Sequence, residues 1–231
     1  MKVFIGFDER EAEAASVAAR SLRAVAPDLE PTFLCAAKLR DHGLLTRTSD
    51  HRGGQDYDLV SNALKSTRFA ISRFLTPILA QEGYALFVDC DVVFHEDPRV
   101  MLQEVKAEHA VSVVKHANGG EGNYVKMVDQ VQTYYPRKNW SSVMLFNCDH
   151  LANRRLSVRD INERPGRDLH AFYWLNDHEI GELWAGWNWL VNVNPDRPQP
   201  LCISHFTLGG PWIPGWAGAE HDDIWLKAAG R

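Results

Sequence analysis

The sequence has no hydrophobic run close to the roughly 20 residues that a membrane-spanning helix needs. Its first residues, MKVFIGF, are typical of a short strand and lack the longer apolar core of a signal peptide. Basic residues do not predominate either, since 25 lysines and arginines stand against 30 aspartates and glutamates, a net charge of −5. This balance excludes the basic footprint of a nucleic-acid-binding protein. We therefore expect neither a membrane span nor a nucleic-acid partner.

Cysteine is scarce as well. The four cysteines, Cys35, Cys90, Cys148 and Cys202, are far apart and form neither a CxxC pair nor a zinc-binding spacing. Structural disulfides are rare in reducing compartments. The sequence therefore predicts four reduced thiols in a cytoplasmic protein.

The chain of 231 residues is 45% hydrophobic, which suits one α/β domain with a real core over residues 1–231. Helical patterns cover residues 8–26 and 63–83, where Pro77 should kink or divide the helix, and a further helix is expected to start at residue 177. Residues 40–60 are polar and predict a loop. Strand patterns occupy residues 2–7, 32–36, 85–89, 110–114, 142–148 and 202–206. This alternation predicts a mostly parallel sheet with helices on both faces.

Tryptophan is abundant, with eight in the chain and five of them between residues 174 and 212. Such aromatic density either fills a core or lines a sugar or nucleotide pocket. For each tryptophan taken singly, the core is the better interpretation.

Two aspartates interrupt apolar sequence in ALFVDCDVVF, residues 85–94. Burying an unpaired carboxylate costs several kcal/mol, so Asp89 and Asp91 predict a nearby cation. Carboxylates with a histidine suit Mn²⁺ or Mg²⁺. Asp8 and His205 also follow or end predicted strands, and open α/β sheets bind ligands at the carboxyl ends of their strands. The alternatives are that the aspartates are turn or cap residues and that His205 is a core histidine.

Five segments resemble a known family. FVDCDVVF resembles the DxD motif of GT-A-fold glycosyltransferases, and HFTLGGPW (205–212) resembles the HFxGxxKPW motif of glycogenin-like, family 8 retaining glycosyltransferases. FAISRF, NWSSVMLFN and NDHEIGEL take the places of three further family motifs in the same order. The resemblance implies a GT-A fold and a metal-dependent enzyme that moves a hexose from a nucleotide sugar, a UDP-sugar first of all, with retention. The acceptor is left open between a glycan, a lipid-linked molecule and a small molecule.

The resemblance also implies roles for individual residues. It assigns the metal to Asp89, Asp91 and His205, and the nucleotide to Gly6, Phe7, Asp8, Arg73 and Asp89. It places the diphosphate at the loop of Gly209, Gly210 and Trp212, where glycines let a backbone approach a ligand closely. It places Asp177 and His178 nearest the reacting carbon of the donor sugar. The donor or acceptor sugar would contact Lys115, His116, Asn139, Trp140, Ser141 and Ser142.

Several of these residues have a structural alternative. Asp8 and Asp177 could each cap a helix, Lys115 could be a solvated strand end, and residues 139–142 could be the edge and cap of a strand. The family's lysine before Pro-Trp is absent, because Gly210 precedes Pro211. Lys115, Lys138 or Arg68 could supply that charge. Two rival classes are a nucleotidyltransferase acting on a sugar phosphate, although GFDEREAEA is not a basic glycine-rich loop, and a non-catalytic carbohydrate-binding module.

Overall fold

A computed structural model describes residues 1–116, 124–126, 130–132, 137, 139–216 and 218–231 of the chain. The strands are β1 (Lys2–Phe7), β2 (Thr32–Cys35), β3 (Ser49–Arg52), β4 (Gln55–Asp58), β5 (Ala63–Leu64), β6 (Tyr84–Val88), β7 (Val92–Phe94), β8 (Val111–Val113), β9 (Tyr124–Lys126), β10 (Gln130–Gln132), β11 (Val143–Asn147), β12 (Ile180–Glu182), β13 (Trp189–Leu190) and β14 (Ile203–His205). The α-helices are α1 (Ala12–Val25), α2 (Ala36–Asp41), α3 (Thr76–Ala80), α4 (Val158–Glu163), α5 (Gly166–His170) and α6 (Asp222–Ala229). Short 3₁₀ helices cover Glu9–Glu11, Ser72–Leu75, Pro98–Gln103, Trp140–Ser142, Leu151–Arg155, Asp177–Glu179 and Ala185–Asn188.

A six-stranded sheet with the order β12-β8-β11-β6-β1-β2 forms the centre of the fold. Strands β6, β1 and β2 run parallel, as do β12 and β8, whereas β11 runs antiparallel to both of its neighbours. The sheet is therefore mixed and mostly parallel, as the alternating pattern predicts.

The central strands are apolar because both of their faces are covered. Ile5, Leu86 and Phe87 are fully buried, and α1 packs against β1 and β7. Gly6 lies where the chain has no room for a side chain, since a Cβ atom there would come within 2.4 Å of the Phe69 ring. Helix α3 packs against β6 and β11. Together these contacts fix the position of the end of β6, and Asp89 follows directly after it.

A second, three-stranded sheet with the order β13-β14-β7 lies beside the first. It packs with α1 and α6 around a separate apolar cluster that includes Trp189, Trp212 and Trp225. Of the five clustered tryptophans only Trp184, which is 45% exposed, is not buried. The core interpretation therefore holds for four of the five.

Three predicted elements are wrong, and two of them lie between residues 40 and 83. Residues 63–83 do not form one helix: Ala63–Leu64 is strand β5, and helical structure begins only at Ser72. Pro77 does not kink a helix, because it lies in the first turn of α3, where its missing N–H costs nothing. Residues 40–60 are not simply a loop, since they contain β3 and β4, an antiparallel hairpin that β5 extends.

The segment from residue 177 differs as well. In place of a helix it forms the 3₁₀ turn Asp177–Glu179 and then β12, which pairs in parallel with β8 at the sheet edge. All four cysteines are free thiols, as predicted. Among the described residues, no helix combines the length and the apolar character that crossing a bilayer requires.

Candidate metal centre and active site

The aspartates of ALFVDCDVVF lie between two strands of different sheets. Strand β6 ends at Val88 and β7 begins at Val92, so Asp89 and Asp91 occupy the passage between them. Strand β14 runs antiparallel to β7 and places His205 opposite Val92. The Phe206 N–H donates to the Asp91 carbonyl over 2.9 Å, which extends this pairing to the aspartate itself.

This pairing brings together three side chains that are more than a hundred residues apart in sequence. One ligand atom from each of Asp89, Asp91 and His205 lies within 4.8 Å of the others, and all three residues are buried. His205 Nε2 is 3.2 Å from Asp91 Oδ1. Two carboxylates and an imidazole that converge in this way form a donor set suited to Mn²⁺ or Mg²⁺. The residues present therefore fit a divalent cation.

Arg73 supplies part of the positive charge that the two buried aspartates require. Arg73 Nη1 lies 2.9 Å from Asp89 Oδ1 and donates to the Ser141 carbonyl over 2.7 Å. Both Arg73 and Asp89 are only 5% exposed. Counting Arg73 with the two aspartates gives the buried group a formal charge of −1. The aspartates are thus not a pair of unneutralised like charges, and a divalent ion would leave the centre positive and suited to an anionic ligand.

The carboxylate of Asp8 accepts hydrogen bonds from other groups of the protein. It is fully buried at the start of the 3₁₀ helix Glu9–Glu11, where it accepts from the N–H groups of Arg10 (3.1 Å) and Arg68 (3.0 Å). The Arg10 guanidinium also donates to both of its oxygens, over 2.9 and 2.6 Å. Burial by itself would raise the pKa of Asp8, but the hydrogen bonds and the charge of Arg10 outweigh it and lower the pKa. Asp8 is therefore the predicted cap; its contact with a base, like those of Gly6 and Phe7, stays a prediction.

The two serines of the turn Trp140–Ser142 form hydrogen bonds within the protein. The buried Ser141 hydroxyl pairs with His170 Nδ1 over 2.7 Å. The equally buried Ser142 hydroxyl donates to the Asn139 carbonyl over 2.7 Å. These contacts within the protein agree with the alternative of a strand edge and cap. A sugar contact of Ser141 or Ser142 stays a prediction.

Trp140 is the partly buried member of this turn. Its indole N–H donates to the His116 carbonyl over 3.1 Å, and Lys115 Nζ lies 5.8 Å from its ring centre. Burial, and to a smaller extent the neighbouring His205, lowers the pKa of His116 to about 4. A sugar contact of Asn139, Trp140, Lys115 or His116 stays a prediction.

The cations proposed for the missing family lysine are separated in the structure. Arg68 pairs with Glu9 over 2.9 Å on the surface. Lys138 lies outside the described residues. Lys115 is the candidate beside Trp140, whose indole N–H donates to the His116 carbonyl.

Asp177 and His178 are surface residues. The Asp177 carboxylate is 91% exposed and accepts from Arg137 over 2.5 Å. The cap of its turn is Asn176, which forms a capping box with Glu179, so the capping alternative for Asp177 is wrong. Since Arg137 also lies 5.6 Å from the Trp140 ring centre, Asp177 is on the Trp140 side of the site. Its role and that of His178 at the donor sugar stay predictions.

The glycines after His205 are required by their own loop. Gly209 has a φ of 116°, in the range that favours glycine, and a Cβ atom at Gly210 would come within 2.3 Å of the Trp212 ring. Trp212 packs on Phe206 and Trp225 in the second apolar cluster. Trp212 is therefore a core residue, and the approach of this loop to a diphosphate stays a prediction.

One residue beside the metal ligands was missed by the sequence reasoning. Asn188 is fully buried, and its Oδ1 lies 2.9 Å from His205 Nδ1. It follows Trp187 in the 3₁₀ helix Ala185–Asn188, which packs on β14. A single asparagine between two tryptophans matches no sequence pattern for a partner of a metal ligand. Its contact with His205 arises only because the 3₁₀ helix Ala185–Asn188 packs on β14.

Known proteins resemble the chain in sequence and in fold. No protein-family model matches it. The chain is similar to the galactosyltransferase LgtC, solved with donor and acceptor sugar analogues (TM-score 0.58, 17% identity, 100% of this chain and 95% of that chain). It is similar also to the glycosyltransferase GlyE of Streptococcus pneumoniae TIGR4 (TM-score 0.59, 15% identity, 99% and 59%). At such identities the likeness shows the fold alone, and it confirms the predicted GT-A fold.

A closer relative is found by sequence. Protein CDI of Arabidopsis thaliana is 38% identical over 234 residues, which cover 98% of this chain and 85% of that protein. Such identity over nearly the whole chain exceeds what a shared fold alone produces. The chain belongs to the same family as Protein CDI.

Proposed function

We propose that this protein is a metal-dependent glycosyltransferase that moves a hexose from a nucleotide sugar, a UDP-sugar first of all, to a glycan, lipid-linked or small-molecule acceptor. The observation that carries the proposal is the buried group of Asp89, Asp91 and His205 on a GT-A fold. Neither a nucleotidyltransferase nor a carbohydrate-binding module is favoured by any feature of this group. The free cysteines fit the predicted cytoplasmic location.

Asp89, Asp91 and His205 would hold Mn²⁺ or Mg²⁺. When bound, such an ion neutralises charge on the diphosphate leaving group. Arg73 holds Asp89 in place through its ion pair and through the Ser141 carbonyl. Because these groups are fixed by the scaffold before substrate binds, little reorganisation is needed when the charge develops.

The side of the site that carries Trp140 is proposed to receive the sugars. An indole face can stack on a sugar ring, and Trp140 is flanked by the cations of Lys115 and Arg137. Asp177, held by Arg137, and His178 would lie near the reacting carbon, and Gly209 and Gly210 near the diphosphate. Retention is proposed from the family resemblance.

Nucleotide release tests the proposal. The protein is incubated with UDP-glucose, UDP-galactose and the corresponding CDP- and GDP-sugars, with Mn²⁺ or with EDTA, and the released nucleotide is measured. We expect slow UDP release that needs Mn²⁺ and is absent in Asp91→Ala. Release of pyrophosphate from a sugar phosphate and a nucleoside triphosphate would instead indicate a nucleotidyltransferase. Sugar binding without any nucleotide affinity would indicate a carbohydrate-binding module.

A further inference from the structure

The imidazole of His205 lies between two polar side chains. Its Nε2 is 3.2 Å from Asp91 Oδ1, and its Nδ1 is 2.9 Å from Asn188 Oδ1. Both His205 and Asn188 are buried, with at most 1% of each residue exposed. The ring therefore faces the metal centre with one nitrogen and Asn188 with the other.

The contacts of Asn188 fix which way its amide points. Its Nδ2 lies 2.9 Å from Ser142 Oγ and 3.4 Å from the Asn139 carbonyl. A carbonyl can only accept, and the Ser142 hydroxyl already donates its proton to that same carbonyl over 2.7 Å. Both neighbours are thus acceptors and need an NH₂ group. The Asn188 oxygen is left for His205.

An amide oxygen beside Nδ1 requires a proton on Nδ1. The nitrogen left with a lone pair for a metal is then Nε2, the one that faces Asp91 and Asp89. Metal-bound histidines generally donate their other N–H to an oxygen in this way, which fixes the tautomer and the ring orientation.

We propose that Asn188, oriented by Ser142, is a positioning residue that holds the proton of His205 at Nδ1 and presents Nε2 to the metal. This inference rests on the metal centre of the proposed function. Ser142 also holds the other ligand segment, because its carbonyl accepts from the Asp89 N–H over 2.9 Å. One residue thus joins the segment of Asp89 to the partner of His205 and sets the spacing between the ligands.

Direct titration with Mn²⁺ alone tests the inference, by calorimetry and by electron paramagnetic resonance of free Mn²⁺. Asn188→Leu removes the acceptor and should weaken Mn²⁺ binding about 10- to 100-fold, the loss typical for such partners of metal ligands. Asn188→Asp keeps an oxygen at Nδ1 and adds a negative charge beside the centre, so it should bind Mn²⁺ at least as tightly as the wild type. If Asn188→Leu does not fold, Asn188→Ser replaces it, since the shorter side chain leaves Nδ1 without its acceptor.

Asn153→Leu is the matched control. Asn153 is also buried, donates over 2.8 Å to the carbonyls of Ala110 and Asn147, and accepts from the Trp174 indole over 3.1 Å. It lies at the far end of β11 from Ser142, because Asn147 ends that strand. This variant loses as many hydrogen bonds as Asn188→Leu, and we expect it to bind Mn²⁺ like the wild type.

Two results would overturn the inference alone. One is wild-type Mn²⁺ affinity in Asn188→Leu. The other is an equal loss of affinity in Asn188→Leu and Asn188→Asp, which would show that the oxygen at Nδ1 does not matter. If the wild type itself binds no Mn²⁺, the assignment of Asp89, Asp91 and His205 as metal ligands is wrong. The proposed function then fails together with the inference.

Discussion

Replacing Arg73 with leucine tests how the charge of Asp89 is shared between the protein and a bound cation. Arg73 and Asp89 form an ion pair of 2.9 Å, and each is 5% exposed. Removing one partner of a buried pair costs about 3–5 kcal/mol, since the other charge stays buried. For a domain of this size, that corresponds to a fall in melting temperature of about 6–20 °C.

The response to Mn²⁺ separates this effect from simple damage to the core. The formal charge of the buried group changes from −1 to −2 in Arg73→Leu, because Arg73 no longer balances Asp89. The group then attracts a divalent cation more strongly. We expect Mn²⁺ to bind at least about tenfold more tightly than to the wild type, or about 1.4 kcal/mol. Thermal unfolding at several Mn²⁺ concentrations measures both quantities.

A second buried ion pair supplies the control. Arg47 and Asp58 lie 2.5 Å apart with side chains 3% and 1% exposed, and Arg47 also donates to the carbonyls of Ile161 and Arg164. Arg47→Leu should therefore cost at least as much stability and leave the Mn²⁺ response unchanged. The charge-sharing argument is refuted if Mn²⁺ stabilises Arg73→Leu no more than it stabilises Arg47→Leu.

Three further predictions concern single side chains. Asp91→Ala should lose both donor turnover and Mn²⁺ stabilisation, which in the wild type amounts to about 2.7 kcal/mol at a hundredfold excess over Kd; a Mn²⁺-dependent melting shift in the variant would contradict this. Asp8→Ala should cost about 1–2 kcal/mol of stability as a lost cap with its ion pair, and should lower the ratio of UDP to CDP affinity about tenfold or more; an unchanged ratio by calorimetry would remove the predicted base contact. Burial and Arg73 lower the pKa of His170 to about 3, below its usual 6.5. The folded protein therefore holds His170 neutral, and the stability that depends on this is fully present above pH 6.5 and is lost as the pH falls toward 3. His170→Gln should therefore reduce the slope of unfolding free energy against pH near pH 5 by about 1.4 kcal/mol per unit, and an unchanged slope in denaturant titrations would remove His170 as a source.

The elements that the sequence predicts well are those whose burial is complete. Strands β1, β6 and β11 are continuous apolar runs because both faces of the central sheet are covered. The hairpin of β3 and β4 could not be found in this way. Every residue of β3 is exposed, so no alternation of apolar and polar residues marks the strand. Residues 63–83 mislead for the opposite reason, since their buried side chains are spaced as in a helix although the backbone is helical only from Ser72 to Ala80.

The sequence predicts that Asp89, Asp91 and His205 lie together, and the structure brings them together. The reason for their meeting was only partly predictable. The sequence places Asp89, Asp91 and His205 at strand ends, which suggests one edge of one sheet. The structure has His205 in a different sheet, where antiparallel pairing of β14 with β7 sets it opposite Val92. Since β7 starts directly after Asp91, the register that aligns the two strands also fixes the distance between the ligands. A shift of one residue would turn His205 to the other face of β14, so the proposed metal centre depends on the register of this small sheet.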